Sequence, residues 1–295
     1  MTNKYLSTKS EQSQLLLIIF QLREKHPTMG IRDMYYKLNP QYLGRDAFEQ
    51  FCKEENLTIL KRKNYRKTTD SIGVYRFENK LENLILTKPN QAWQSDITYF
   101  EINLRFYYIT FIIDSFSRFI VGYNTSERLT TEQTTLPSLK MAIKSRKKGE
   151  NLIGLIFHSD GGGQYYDKEF LKLTQDNKII NSMCEYAWEN GKAERINGVI
   201  KNNYLVHRRI TNFNELKKEV DRSVYLYNFE KPHIKLQRKT PFEFENYYIC
   251  NGQQVEGEKS AMELKFQPQG VTALLGCGQQ ASDLNIAQEL KCNLE

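Results

Sequence analysis

Three carboxylates in this chain stand where a carboxylate is costly or exposed to others: Asp96, Asp160 and Glu194. Asp96 sits in the middle of Trp93-Gln-Ser-Asp-Ile-Thr-Tyr99, a stretch with strand character. Burying an aspartate in a central strand is expensive unless it is paired or bound to a cation. Asp160 follows the apolar run at residues 152–158, at the C-terminal end of a buried strand, where open α/β sheets gather ligands. The glycines at 161–163 let backbone or ligand approach closely. Glu194 lies in Asn190-Gly-Lys-Ala-Glu-Arg-Ile-Asn-Gly-Val-Ile-Lys201, where Ala193, Ile196 and Ile200 repeat at helical spacing. Glu194, Asn197, Gly198 and Lys201 share the neighbouring face of that helix. Taken singly, each acid reads equally as a structural hydrogen-bonder, and Glu194 with Lys201 as a solvated pair. Together they make a hard-oxygen site suited to Mg²⁺ or Mn²⁺, because clustered like charges need a cation.

The elements that must position these acids follow from hydrophobic period. Residues 93–100, 106–113 and 119–123 alternate as strands, with turns at Asn103 and residues 115–118, and predict an antiparallel meander. A helix follows to about residue 148, with Leu136, Leu139, Ala142 and Ile143 as its buried stripe and Pro137 confined to its first turn. Residues 152–158 predict a strand buried on both faces, Phe170, Leu171 and Leu173 a short helix, and residues 179–183 a fifth strand. The order β-β-β-α-β-α-β-α predicts an α/β fold built on a mixed five-stranded sheet with flanking helices. Beyond it, residues 214–227 predict another helix, and residues 231–243 read as a structural clasp. Asp114, at the end of the second strand, reads as a cap on the turn after it, and His158 as a packed strand-end residue. Trp188 reads either as core or as a stacking residue for a DNA base.

Upstream, residues 10–60 predict three short helices. In the first, the run 15–20 is expected to be mostly buried; in the third, Ala47, Phe48, Phe51 and Cys52 face inward. This small all-α module is compatible with a helix-turn-helix DNA binder and equally with a plain bundle. The block Lys61-Arg62-Lys63-Asn64-Tyr65-Arg66-Lys67 can track phosphates or act as a solvated linker. The chain thus divides into residues 1–67, a linker at 68–90, a core at 91–247 and a tail at 248–295.

Charge supports a polyanionic partner. The net charge is +7, but residues 1–249 carry +10 and the remainder −3. The 5 cysteines are widely spaced with no C-x-x-C pair, which argues against a disulfide framework or a zinc site and for a reducing, cytoplasmic setting. No apolar run is long enough to cross a bilayer, and no coiled-coil heptad run is present.

Five ordered motifs carry a resemblance: Trp93-Gln-Ser-Asp96-Ile-Thr-Tyr99; Ile113-Asp-Ser-Phe-Ser-Arg118; His158-Ser-Asp160-Gly-Gly-Gly-Gln-Tyr165; Glu189-Asn190 through Lys201; and Tyr227-Asn228 through Lys231-Pro232-His233 to Thr240-Pro241-Phe242-Glu243. The chain resembles the transposases with a retroviral-integrase-like, ribonuclease-H-like core, and in particular the second-frame protein of the IS-three class of insertion sequences. The resemblance implies that Asp96, Asp160 and Glu194 are the acidic triad of a DNA transposase working with two Mg²⁺ ions, for which Mn²⁺ can substitute. It implies strand cleavage and strand transfer, and contact of Lys201 with the DNA end. It also implies DNA partners (element ends and target), a first-frame partner protein and a multimer on DNA. Lys61, Arg62, Lys63, Arg66 and Lys67 are the further DNA-contact candidates. Two departures stand out: the 33 residues between Asp160 and Glu194 are slightly few for this class, and Gly161 replaces an arginine. A hydrolase of RNA–DNA hybrids and a DNA binder without activity are the competing readings.

Overall fold

The computed structural model describes residues 9–59, 77–146, 152–184 and 186–252. The meander forms as the alternation predicts. Strands β1 (Ala92–Ile102), β2 (Arg105–Asp114) and β3 (Ile120–Ser126) pair antiparallel in sequence. Ile102 pairs with Arg105 across a two-residue turn in which Asn103 and Leu104 both have positive φ, the geometry that matches strand twist. Strands β4 (Ile156–Ser159) and β5 (Ile180–Met183) then add in parallel on the other side of β1. The sheet order is β3-β2-β1-β4-β5, a mixed five-stranded, ribonuclease-H-like sheet with β1 at its centre.

Helices cover both faces. Helix α4 (Thr135–Arg146) and α5 (Lys168–Asp176) lie over Trp93, Ile112, Val121 and Phe157. Gly122 permits the close approach of β3 to α4: a Cβ there would stand 2.3 Å from the Ser138 carbonyl oxygen. On the opposite face α6 (Gly191–Asn203) and α7 (Phe213–Tyr225) bury Ile196, Ile200, Leu216, Val220 and Val224 against Ile109, Phe111 and Ile113. Each such side chain contributes roughly 1.5–3 kcal/mol when fully buried. Residues Leu226–Glu230 continue α7 as a π-helical turn. That turn aims the Asn228 amide at β3, where it accepts from Ile120 N at 2.9 Å and donates to Ile120 O at 3.0 Å.

The N-terminal residues form α1 (Lys9–Lys25), α2 (Ile31–Leu38) and α3 (Arg45–Glu54) around their own core of Leu15, Ile19, Met34, Phe48 and Phe51. The described residues as far as Tyr248 make one compact unit. No helix among the described residues is long and apolar enough to cross a membrane.

Three expectations need correction. The run at residues 15–20 is not mostly buried: Leu17, Ile18 and Phe20 are 59%, 44% and 56% exposed, because one small bundle can cover only one face of α1. The strand read at 152–158 begins only at Ile156, since Gly154 at φ 80° turns the chain and leaves Ile153 exposed. The clasp runs on into a further helix, α8 (Pro241–Gly252).

Candidate active site

Strand register brings two of the three acids together. β1 and β4 run parallel with Gln94 opposite His158 and Ser95 opposite Ser159. One step further on, Asp96 and Asp160 are neighbours on the same face, where adjacent strands lie about 4.7–4.9 Å apart. β4 stops pairing there, so both carboxylates sit at the open rim of the sheet, neither fully buried nor exposed.

Each carboxylate is held from beneath. Asp96 Oδ1 accepts from the Ile97 N–H at 2.9 Å, and its Oδ2 from Asn197 Nδ2 at 2.8 Å. Asp160 Oδ1 accepts from the Gly162 N–H at 3.1 Å, and a Cβ on Gly162 would press to 3.0 Å from that same oxygen. The Tyr166 hydroxyl donates to the Asp160 carbonyl at 3.0 Å. Below them Ser95 Oγ donates to the Phe111 carbonyl at 3.0 Å, so at 2.9 Å the Tyr165 hydroxyl is the donor to Ser95.

Glu194 arrives on the first turn of α6, whose start is fixed to the sheet. Asn190 Nδ2 donates to the Ser95 carbonyl at 2.9 Å and Lys192 Nζ to the Ser115 carbonyl at 3.0 Å. Ala193, Ile196 and Ile200 face the core, leaving Glu194 exposed and Asn197 buried against Asp96.

The electrostatics mark the pair. Burial, then the charge of Asp160 and, more weakly, that of Glu194, push the Asp96 carboxyl up to about 7. Burial likewise raises Asp160. Two such carboxylates favour a cation between them. Asp96 and Asp160 keep lone pairs free beyond the hydrogen bonds above, and the donors are all hard oxygens, so they fit a divalent ion such as Mg²⁺. Soft ligation is disfavoured, since burial and the charge of Asp160 push the nearby Cys184 thiol up to about 12. Among the described residues no three His, Cys, Asp or Glu groups gather into one metal cage, so Glu194 stands apart from the Asp96–Asp160 pair while its charge still reaches Asp96.

The other candidates fall as follows. Lys201 does not pair with Glu194; its half-buried ammonium lies over the Tyr99 ring, 4.7 Å from the centroid, and burial lowers its pKa. Asp114 is a buried cap that accepts from Phe116 N, Ser117 N and Asn90 N at 3.0, 2.6 and 2.7 Å. His158 is fully buried, its Nδ1 2.9 Å from Ser182 Oγ. Lys61, Arg62, Lys63, Arg66 and Lys67 lie outside the described residues, as does the side chain of Trp188. Sequence reasoning placed Asn197 on the Glu194 face but gave it no role. Its spacing of one helical turn from Glu194 was the available signal.

Comparison with known proteins agrees in kind. An integrase core domain family matches residues 87–187, and a second integrase core domain family matches residues 176–241. The chain is 29% identical over 245 residues to the insertion element IS600 uncharacterized 31 kDa protein of Shigella sonnei, covering 81% of this chain and 88% of that one. It is 35% identical over 107 residues to the transposase InsF for insertion sequence IS3A of Escherichia coli K12, covering 36% of each. Among solved structures, the HTLV-2 integrase catalytic core domain in complex with magnesium covers 54% of this chain and 97% of its own, at 22% identity and a TM-score of 0.43.

Proposed function

The chain belongs to the DDE transposases of insertion sequences, those with an integrase core, and from that premise we propose that it cuts and joins DNA strands with Asp96, Asp160 and Glu194 as its triad. The observation that carries this reading is the parallel pairing of β1 with β4, which sets Asp96 beside Asp160 at an open sheet edge with mutual repulsion unrelieved. Asp96 and Asp160 would hold a first Mg²⁺ or Mn²⁺, and Glu194 would help to hold a second. When bound, such ions supply Lewis-acid charge to the attacking and leaving oxygens of a phosphodiester.

The chain's own residues do the rest. Asn197 and the Ile97 N–H fix the Asp96 carboxylate, and Gly162 fixes Asp160. Asn190 and Lys192 tie the start of α6 to the sheet, which leaves Glu194 on its first turn exposed to solvent, where a strand would enter. In cleavage, water attacks phosphorus and the 3′-oxygen leaves as a free hydroxyl at the element end. In transfer, that hydroxyl attacks a target phosphodiester, one P–O bond replacing another. No covalent protein–DNA intermediate is needed.

Substrate and partners follow from the same reading. The partners would be DNA element ends and target DNA, engaged by a multimer because two ends must be held together. A first-frame partner protein would supply the coiled coil for which this chain shows no heptads. Residues 1–67 would be the DNA-binding module, its basic stretch tracking phosphates, with 68–90 as linker and 91–247 as catalytic core.

The test is nicking of inverted-repeat DNA with Mg²⁺ by wild type and by Asp96→Asn, Asp160→Asn and Glu194→Gln. Each substitution should abolish nicking while DNA binding persists. Wild-type-like nicking by any one of them removes that residue from the triad, and cleavage of RNA–DNA hybrids alone would favour a hydrolase instead.

A further inference from the structure

Past Asp96 the β4 side of β1 has no strand partner among the described residues, since the last paired residues are Ser95 and Ser159. On this open stretch Tyr99 is 49% exposed, and Phe106, diagonal to it on β2, is 47% exposed. Their rings meet edge to face at 5.2 Å, a cross-strand pair that holds both in place. Lys201 reaches from α6 to set its ammonium 4.7 Å from the centre of the Tyr99 ring. Leu104, at the hairpin tip just beyond, is 91% exposed. Large aromatic faces are usually covered, and here, apart from the Lys201 side chain set over Tyr99, about half of each ring residue stays exposed. Tyr99 lies three residues along β1 from Asp96, about 10 Å at the rise of a strand and on the alternate face, so a strand would reach both by passing over the unpaired edge of β1.

Resting on the DNA chemistry proposed above, we infer that Tyr99 and Phe106 form a stacking site for an unpaired base of the strand entering the active site, with Lys201 as its phosphate-side cation. Three features select this ligand. A base offers the flat π-face that an exposed, fixed ring can match, and stacking of this kind tolerates sequence. A cation held over the ring on a flexible stem, able to swing aside to a phosphate, suits a ligand that carries a phosphate on each nucleotide. The base pairs at the end of a duplex also fray, so an element end would bring unstacked bases within reach of the acids. Lys201 therefore serves two partners in turn, the Tyr99 ring in the free protein and a phosphate in the complex.

The test compares two labelled single strands of equal length and charge, an oligothymidylate and a strand of abasic sugars. Stacking contributes roughly 1–3 kcal/mol per base, so the wild type should bind the thymidylate at least fivefold more tightly. Tyr99→Ala should abolish that preference and leave abasic binding unchanged, while Tyr99→Phe should keep it. Phe106→Ala should reduce it, and provides the same readout should Tyr99→Ala fail to fold. Lys201→Ala should weaken both strands alike, lowering the salt slope by about one unit, with the preference intact. A preference that survives both Tyr99→Ala and Phe106→Ala overturns the stacking site. A wild type that binds neither strand overturns the DNA reading along with it.

Discussion

At the scale of single residues, the site depends on side chains that never meet a substrate. Asn197 is the clearest. Its amide nitrogen gives Asp96 a 2.8 Å hydrogen bond, and its oxygen is buried without a protein partner. Replacing Asn197 with Ala frees the Asp96 carboxylate to rotate. Loss of a partner that orients a metal ligand typically weakens metal affinity 10–100-fold. We therefore expect Asn197→Ala to raise the Mg²⁺ concentration for half-maximal nicking by about that factor, with binding of duplex DNA unchanged. An unchanged Mg²⁺ titration would show that Asp96 needs no such support. Asp96 and Asp160, which the pairing of β1 with β4 sets side by side, were conspicuous in sequence as acids in strand and strand-end positions. Asn197 was not, because its target lies 101 positions upstream and becomes visible only once α6 is docked on β1. The contact of Lys201 with Tyr99 was not legible for a related reason: sequence gave the helical face of Lys201, but Tyr99 comes from a distant strand.

At the scale of elements, period and turn chemistry carried most of the fold. Among the described residues, four of the five strands and seven of the α-helices lie where the hydrophobic period put them, and β4 starts four residues later than its apolar run. The one helix missed, α8, had announced itself: Thr240 and Glu243 form a capping box, with Glu243 N donating to Thr240 Oγ1 at 3.1 Å and Thr240 N to Glu243 Oε2 at 2.8 Å. It was hidden because the motif around it reads as a loop from Lys231 on. Close approach between elements is the least legible feature, and Gly122 is its sharpest case. Nothing in residues 119–123 says that a helix backbone will pass so near β3. A methyl group at this position must displace the Ser138 carbonyl or the Ala142 side chain, at 2.3 and 2.8 Å. Overpacking of this kind costs about 1–3 kcal/mol, occasionally more. Gly122→Ala should therefore lower the melting temperature, whereas Gly44→Ala, at a position with open space around it, should change it little. Equal melting temperatures for the two variants would mean that α4 shifts without cost.

At the scale of the whole molecule, one acid gathers several of the contacts between the helical module and the sheet-bearing part of the chain. Glu230, on the π-helical turn after α7, meets Lys25 of α1 at 3.2 Å and Lys37 of α2 at 4.0 Å, with His26 Nε2 at 3.6 Å. Lys37 also donates to the Glu230 carbonyl at 2.5 Å, and Arg238 pairs with Asp33 at 2.9 Å. None of this was legible beforehand, since the partners are about 200 residues apart and each reads as an ordinary surface charge. His26 contributes as a neutral ring, because burial lowers its pKa. The His26 imidazole, then Lys25 and Lys37, outweigh burial and hold the Glu230 carboxyl down to about 2 from its ordinary 4.5. A carboxylate with a depressed folded pKa stabilises the native arrangement fully above its ordinary value. That stabilisation is lost as the pH falls from about 4.5 towards 2. Because Glu230 is 21% exposed, its pairs contribute on the order of 1 kcal/mol rather than the full shift. This is enough to change how often α1 and α2 leave the core, and too little to unfold the sheet. Glu230→Gln should thus speed amide hydrogen exchange in residues 9–38 at pH 7 while exchange in β1 and β2 stays as it was. His26, whose pKa burial lowers from 6.5, should loosen this region below about 6.5 in both proteins, and the wild type alone should show a further step as the pH drops below about 4.5. Identical exchange in the two proteins at both pH values would place the hold on the module elsewhere, in the Arg238–Asp33 pair and the contact of His26 with Tyr204.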